Sequence, residues 1–108
     1  MITVTIDYQG NDIRAFTVIG HAGFAPKGTD IYCAGVSAAA QSALLGLINQ
    51  LSKPPQYSVD NGVLTCELEP DLPEKDKNTA QIILTAMEDG LLAMQQTYGR
   101  YLQVIIRR

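Results

Sequence analysis

The sequence is poor in the residues that build metal centres, disulfide frameworks and redox sites. Its 108 residues include two cysteines, one histidine and no tryptophan. Three nitrogen or sulfur ligands do not fill a tetrahedral structural zinc site without carboxylates, and no Cys-x-x-Cys is present. Two cysteines in a cytosolic chain rarely form a disulfide. We therefore predict neither a metal nor a cofactor.

Positive charge and long apolar segments are also scarce. Eight Lys and Arg residues against eleven Asp and Glu residues give a net charge of −3. This argues against a nucleic-acid backbone as the main ligand, because phosphate neutralisation needs clustered Lys and Arg. No apolar run reaches the roughly 18 residues of a membrane span, and the first residues lack the features of a signal peptide. We expect a cytoplasmic protein with no membrane and no direct nucleic-acid partner.

Apolar alternation and helical periodicity predict the element order ββαββαβ. The predicted elements are strands 2–8, 13–19, 57–59, 63–69 and 101–106, and helices over 31–51 and within 73–98. Asn61-Gly62 is the strongest hairpin signal. We predict a single α+β domain over residues 1–108, with a mostly antiparallel sheet and two helices packed on one face. These patterns leave the strand order open.

The second predicted helix carries an apolar stripe that interrupts at a glycine. The stripe consists of Ile83, Ala86, Met87, Leu91, Met94 and Tyr98. Gly90 falls on the same stripe, where it costs about 1 kcal/mol relative to alanine. We interpret this glycine as a close approach to the first helix near Gly46.

Cys33 is the first candidate for chemistry. If Thr29 or Asp30 caps the first helix, Cys33 lies in its first turn. The backbone N–H groups and the helix dipole there favour an anion, and the thiolate is the nucleophilic form of cysteine. The alternative is a small core residue, because free cysteine is among the most buried residue types.

His21 lies twelve residues before Cys33, at the end of a predicted strand. Cysteine beside histidine is the minimal activated nucleophile, since the imidazole accepts the thiol proton and returns one to the leaving amine. Backbone N–H groups at the helix start would hold the developing oxyanion. Asp30 is either the helix cap or a third member that orients His21. Ser37, one turn after Cys33, either steadies the site or bonds back to the Cys33 carbonyl.

Two other features have simpler interpretations. Cys66 lies between Leu64 and Leu68 in a predicted strand, so we assign it to the core. Five carboxylates lie between positions 67 and 76, and they form either a solvated edge or a surface for a basic partner. They are Glu67, Glu69, Asp71, Glu74 and Asp76.

One segment carries a specific family resemblance. It begins with Gly20-His21-Ala22-Gly23, continues through Gly28, and ends with Asp30-Ile31-Tyr32-Cys33-Ala34-Gly35-Val36-Ser37-Ala38. This pattern resembles the ribosomal-processing cysteine protease family Prp of Firmicutes and related bacteria, and the length and element order fit over the whole chain. Two positions depart from the family pattern: Tyr32 replaces a small aliphatic residue, and Gly35 replaces an alanine.

The resemblance implies a cysteine endopeptidase that removes a short N-terminal extension from the precursor of large-subunit ribosomal protein number twenty-seven, after an aromatic pair. By motif position, Cys33 is the nucleophile and His21 the general base, with Asp30 and Ser37 in support. The substrate loop over 22–29 would cover the substrate. The residues assigned to it are Ala22, Gly23, Phe24 and Gly28, together with Gly20, which precedes the loop. Phe24 either docks this loop or lines a substrate pocket. The family also implies a homodimer.

Two other functions compete with the protease. The first is a non-enzymatic ribosome-associated assembly or binding factor, which would use the acidic surface and a structural Cys33. The second is a thiol redox sensor, which needs a resolving cysteine. Cys66 is the only candidate for that role, and its predicted core position opposes it.

Overall fold

The fold is that of a computed structural model, and the structure describes residues 1–20 and 30–108. The elements in these residues are β1 (Ile2–Gln9), β2 (Asp12–Gly20), α1 (Ile31–Gln50), β3 (Gln56–Asp60), β4 (Val63–Glu67), α2 (Glu74–Tyr98) and β5 (Leu102–Arg107). Their order is the predicted ββαββαβ, and the ends of the strands and of α1 differ from the predicted ends by at most two residues.

The described strands form one sheet in the order β3-β4-β2-β1-β5. β1–β2, β2–β4 and β3–β4 pair antiparallel, whereas β1 and β5 run parallel. The predicted α+β class and mostly antiparallel sheet are confirmed. The strand order places the β3–β4 hairpin at one edge and β5 at the other, so β1 and β2 are central.

The core lies between the sheet and the two helices. Alternate residues of β1, namely Ile2, Val4 and Ile6, point inwards and are at most 2% exposed. In β2 the spacing changes, because Ile13 and Phe16 are both buried. A β-bulge causes this: Asp7 pairs with Ala15 but Tyr8 pairs with Ile13, which leaves one extra residue on β2.

A side chain from α2 supports the bulge. The Gln81 amide donates to the Ile13 carbonyl at 2.8 Å and accepts from the Ile13 N–H at 2.8 Å. It replaces the strand partner that the backbone of Ile13 would otherwise need.

The helices confirm one predicted stripe and correct the other. The buried residues of α1 are Val36, Ala40, Ala43, Leu44 and Leu47, as its periodicity predicts. In α2 the apolar buried residues are Ala80, Leu84, Met87 and Leu91, whereas Ala86 is exposed. Gly90 is exposed and a Cβ there would meet nothing within 4 Å, so its interpretation as a close approach is wrong. The close approaches occur at Gly46, against Ile83, and at Gly35, against Met94.

Most of the acidic segment is already neutralised or buried. Glu67 pairs with Arg14 at 2.7 Å, and Asp71 pairs with Lys53 at 2.6 Å. Asp76 is buried and accepts from the Ser52 backbone N–H at 2.9 Å and from its hydroxyl. These hydrogen bonds, the hydroxyl first, lower the pKa of Asp76. The segment is therefore a weaker acidic surface than its sequence predicts.

Among the described residues, one helix is long and apolar enough to cross a membrane, judged by length and composition only. This helix is α1. This differs from the expectation that no apolar run reaches that length. The helix contains Ser and Gln among its small and apolar residues, but it contains no charged residue, so its mean hydropathy stays high. One side of α1 belongs to the protein core, and its other side exposes Gln41, Ser42 and Asn49.

Candidate active site

Cys33 lies in the first turn of α1, as predicted. Asp30 is the N-cap: its Oδ1 accepts from the backbone N–H of Tyr32 at 2.9 Å and of Cys33 at 3.1 Å. Asp30 is 6% exposed, whereas Cys33 is half-buried. The capping role proposed for Asp30 is therefore present. The cap fixes the backbone that carries the thiol.

The same contacts occupy three of the N–H groups at the helix start, so the expected binding of the oxyanion by this backbone stays a prediction. The N–H groups of Tyr32 and Cys33 point to the Asp30 carboxylate, and the N–H of Ala34 donates to the Asp30 carbonyl at 3.0 Å. These three donors are engaged within the helix start. They stabilise the helix and do not offer their hydrogens to a substrate carbonyl in this conformation.

Cys33 opens on a groove of about 260 Å³ between α1 and the sheet. One wall comes from the first turns of α1, and the floor comes from β1, β2 and the β3–β4 hairpin. The residues that line it with Cys33 are Ile2, Val18, Gly20, Val36, Ser37, Ala40, Gln41, Val59, Gly62, Val63 and Leu64. Among the described residues the lining is mostly apolar, and the thiol of Cys33, the hydroxyl of Ser37 and the amide of Gln41 are its reactive or polar side chains. Such a groove suits an extended chain with apolar side chains.

The contribution of the β3–β4 hairpin to the groove was not predicted from the sequence. Val59 belongs to the edge strand β3 and is 60% exposed. A signal was present, since the alternation of Tyr57 and Val59 places two apolar residues on one face of a strand that no helix covers.

Gly20 has a structural reason to be glycine at the rim of the groove. Its φ is +97°, and a Cβ there would lie 2.6 Å from the carbonyl oxygen of Met1. Only a residue without a side chain fits this backbone and this approach. Gly20 thereby brings the end of β2 to the groove.

Ser37 lies on the same wall as Cys33, one helical turn later. Its Oγ accepts a hydrogen bond from the Gln41 side-chain amide at 2.8 Å. Because the amide occupies an acceptor site of the hydroxyl, the Ser37 proton is left to donate elsewhere.

Cys66 is in the core, as predicted. It is 3% exposed, and desolvation raises the pKa of its thiol to about 12. A thiol that remains neutral at physiological pH is inert, so the role of a resolving cysteine is opposed by its environment.

The remaining site predictions, for His21, Ala22, Gly23, Phe24 and Gly28, lie outside the described residues. Their roles stay predictions. Among residues 1–20 and 30–108, no group of three His, Cys, Asp or Glu residues is placed to hold a metal ion.

Tyr32 is the residue whose contacts the sequence did not reveal. Its ring stacks on Tyr101, with the centroids 4.5 Å apart, and lies tilted against Tyr98 at 4.8 Å. These partners are more than 60 residues away in the chain, so no local pattern indicates them. Tyr32 therefore links the start of α1 to the end of α2.

Comparison with known proteins agrees with this arrangement. The family model described as cysteine protease Prp matches residues 1–103. The ribosomal processing cysteine protease Prp of Bacillus subtilis (strain 168) is 30% identical over 94 residues, which cover 85% of this chain and 84% of that protein.

Solved structures give the same result. The crystal structure of an essential ribosomal processing protease Prp from S. aureus, in complex with a covalently linked product peptide, has a TM-score of 0.86 at 25% identity, covering 99% of this chain and 100% of the other. A second structure of the S. aureus protein, with a substrate peptide, has a TM-score of 0.81 at 24% identity and the same coverage, and it supports the fold. The chain belongs to the cysteine protease Prp family, which confirms the prediction of a cysteine protease.

Proposed function

We propose that this protein is the endopeptidase that removes the N-terminal extension of a large-subunit ribosomal protein precursor by cleaving after aromatic residues. The observation that carries the proposal is the position of Cys33, in a capped helical first turn that opens on an apolar groove of about 260 Å³. The B. subtilis relative is named for ribosomal processing, and the S. aureus relative has been crystallised with a substrate peptide.

In the proposed mechanism, Cys33 and His21 form the catalytic dyad. His21 accepts the thiol proton as Sγ attacks the scissile carbonyl carbon, and the carbonyl oxygen takes up the electron pair. The tetrahedral intermediate collapses, the C–N bond breaks, and the imidazolium donates its proton to the leaving amine. Water then attacks the thioester, His21 accepts a proton from it, and the thiolate leaves and regains a proton. The chain connection supports this pairing, because His21 is the residue after Gly20, and Gly20 lines the groove with Cys33.

Ser37 and Asp30 are proposed to support this chemistry in different ways. Asp30 fixes the first turn of α1 through its cap. Ser37 is proposed to donate its hydroxyl proton to the oxyanion, because Gln41 occupies its acceptor side and the three N–H groups at the helix start are engaged. This arrangement moves the oxyanion role from the backbone to a side chain on the same wall.

The groove lining supports the aromatic preference. Val18, Val36 and Leu64 offer apolar surface to a substrate side chain, and burial of an aromatic ring there would remove a large apolar area from water. The glycine-rich segment over 22–29 is proposed to cover the bound substrate.

The proposal also includes the setting of the reaction. We place the protein in the cytoplasm as a homodimer that acts in ribosome biogenesis on a ribosomal protein precursor, with no direct nucleic-acid contact. The net charge of −3 suits a basic protein substrate better than a phosphate backbone. No observation favours the non-enzymatic binding factor, because two of the five carboxylates are in ion pairs and a third is buried.

The test uses a peptide that carries an N-terminal extension ending in an aromatic pair, with products identified by mass spectrometry. We expect wild-type protein to cleave after the aromatic residues and Cys33→Ala to lose cleavage by at least a thousandfold. Cys66→Ala is the matched control, since it removes the buried thiol and should cleave like wild type. A peptide with both aromatic residues changed to alanine should be cut poorly.

Two results would overturn the proposal. Cleavage by Cys33→Ala at the wild-type rate would show that Cys33 is not the nucleophile. Cleavage of the alanine peptide as fast as the aromatic peptide would show that the enzyme does not select aromatic residues. His21→Ala should lower kcat while leaving the circular dichroism spectrum unchanged. Wild-type turnover by this variant would show that His21 is not part of a catalytic dyad.

A further inference from the structure

Three tyrosines join the start of α1 to the end of α2. The Tyr32 and Tyr101 rings are stacked, with an interplanar angle of 14° and centroids 4.5 Å apart. The Tyr32 and Tyr98 rings meet at 56° with centroids 4.8 Å apart. We call this group, Tyr32, Tyr98 and Tyr101, the tyrosine clasp. Both geometries are attractive beyond the burial of area, so the clasp holds the residue directly before Cys33.

The clasp is fixed to the rest of the fold at one end. The Tyr101 N–H donates to the Tyr98 carbonyl at 2.9 Å, and the Tyr101 carbonyl accepts from the Ile2 N–H at 2.9 Å. Tyr101 is therefore bound through its backbone to both α2 and β1. The ring of Tyr32, stacked on Tyr101, is therefore held in a fixed position relative to the sheet.

At the other end, the clasp reaches the first turn of α1. Tyr32 donates its N–H to the same Asp30 oxygen that accepts from Cys33. Its neighbour Ile31 is 63% exposed and gives little apolar anchorage to this turn. The ring of Tyr32 thus connects the turn carrying the thiol to the end of α2 and the start of β5.

The next turn of α1 shows the same close approach. A Cβ at Gly35 would stand 3.3 Å from Cε of Met94, so Gly35 leaves room for this side chain of α2. Gly35 is one turn after Tyr32, and Met94 is one turn before Tyr98. The two departures from the family pattern, Tyr32 and Gly35, therefore lie against adjacent turns of α2.

We infer that Tyr32 is a positioning residue for Cys33: the tyrosine clasp fixes the first turn of α1 so that the Cys33 thiol stays in the groove. Its effect on turnover rests on the proposed function, whereas its effect on the reactivity of the thiol does not. Cys33 and Tyr32 are adjacent, so a turn released from Tyr101 moves the sulfur with it. Displacement of a reacting atom by about 1 Å can lower a rate by about a hundredfold.

The test compares Tyr32→Leu, Tyr32→Phe and Tyr101→Leu with a control, Ile13→Val. The control removes one buried methylene at the far end of the β1–β2 hairpin and lowers stability without touching the clasp. Two quantities are measured well below every unfolding midpoint. One is kcat and KM for peptide cleavage. The other is the rate of iodoacetamide labelling at Cys33, with Cys66 as the unreactive internal reference.

We expect Tyr32→Leu and Tyr101→Leu each to lower kcat by about tenfold, with KM changed by less than about twofold. The double variant should lose little more than either single variant, because the two rings act as one unit. Tyr32→Phe keeps the ring and should retain kcat within about threefold of wild type. The labelling rate at Cys33 should change in the two leucine variants and not in Ile13→Val.

Wild-type kcat and labelling in Tyr32→Leu would overturn the inference and leave Tyr32 as a packing residue. An equal loss in Ile13→Val would also overturn it, because general destabilisation would then explain the effect. If instead Cys33→Ala cleaves like wild type, the proposed function fails, and the labelling of Cys33 alone decides whether the clasp positions the thiol.

Discussion

Replacement of Asp30 tests how the helix start supports the thiol. Asp30→Ala removes the oxygen that accepts from the N–H groups of Tyr32 and Cys33. Loss of an N-cap costs about 0.5 to 2 kcal/mol, and the upper end applies where buried donors are left without a partner. Because Asp30 is only 6% exposed, water replaces it poorly, so we expect a loss of about 2 kcal/mol.

Asp30→Asn is the matched variant. Asparagine keeps an oxygen at the capping position, so the free energy of unfolding should stay within about 0.5 kcal/mol of wild type. Urea denaturation measures both variants, and thermal unfolding should show a decrease of about 8 °C for the alanine variant at roughly 4 °C per kcal/mol. We expect kcat of Asp30→Asn within about threefold of wild type, since the cap is its main contribution.

The outcomes separate the two roles of Asp30. If Asp30→Ala unfolds at the same urea concentration as wild type, the reasoning from the cap is refuted. If Asp30→Asn keeps its stability but loses kcat by tenfold or more, the carboxylate charge acts on the reaction, as the orientation of His21 would require.

Two further predictions concern the backbone and the core. Gly20→Ala should destabilise the protein by about 1 to 3 kcal/mol, since its φ is +97° and the new Cβ would meet Met1 oxygen at 2.6 Å. Gly10→Ala, with φ +64° and nothing within 4 Å, is its control and should cost less in the same urea titration; equal losses would contradict the steric explanation. The buried thiol of Cys66 should make the free energy of unfolding depend on pH in the alkaline range. Its pKa is about 12 in the folded protein and 9.0 ordinarily, so the thiol ionises at lower pH in the unfolded chain. The stability present below pH 9 is therefore lost as the pH rises towards 12. We expect about 3 kcal/mol of this loss by pH 11. Cys66→Ala, compared with wild type by urea midpoints at pH 8 and 11, should show a smaller decrease, and an identical decrease would contradict the assignment.

Local chemistry determined which parts of the fold were predictable. The alternation of Ile2, Val4 and Ile6 and the Asn61-Gly62 turn depend on neighbouring residues, so the sequence indicates them directly. The strand order does not, because the pairing of Ile2 with Leu102 joins residues 100 positions apart. The bulge in β2 also escaped prediction, since a single extra residue changes no composition or period before the buried residues are known.

The site divides in the same way. The cap formed by Asp30 and the position of Cys33 were predictable, because a capping residue and a cysteine in the first turn are local features of one helix. The wall formed by Val59 and the contacts of Tyr32 depend on how α1 lies relative to β3 and α2, which no local pattern specifies. The hydrogen bonds from the N–H groups of Tyr32, Cys33 and Ala34 to Asp30 likewise became visible only in the structure.

The pairing of the first strand with the last determines when the molecule can be completed during synthesis. β5 follows every other described element in the chain, yet its partner β1 is made first. Until β5 emerges from the ribosome, β1 has an open edge, and Tyr32 has no Tyr101 to stack on. Pairing across such a sequence distance is slow compared with the formation of a helix or a hairpin. The nascent chain would therefore lack the stacked pair that we propose to position Cys33 until the last described strand has been translated.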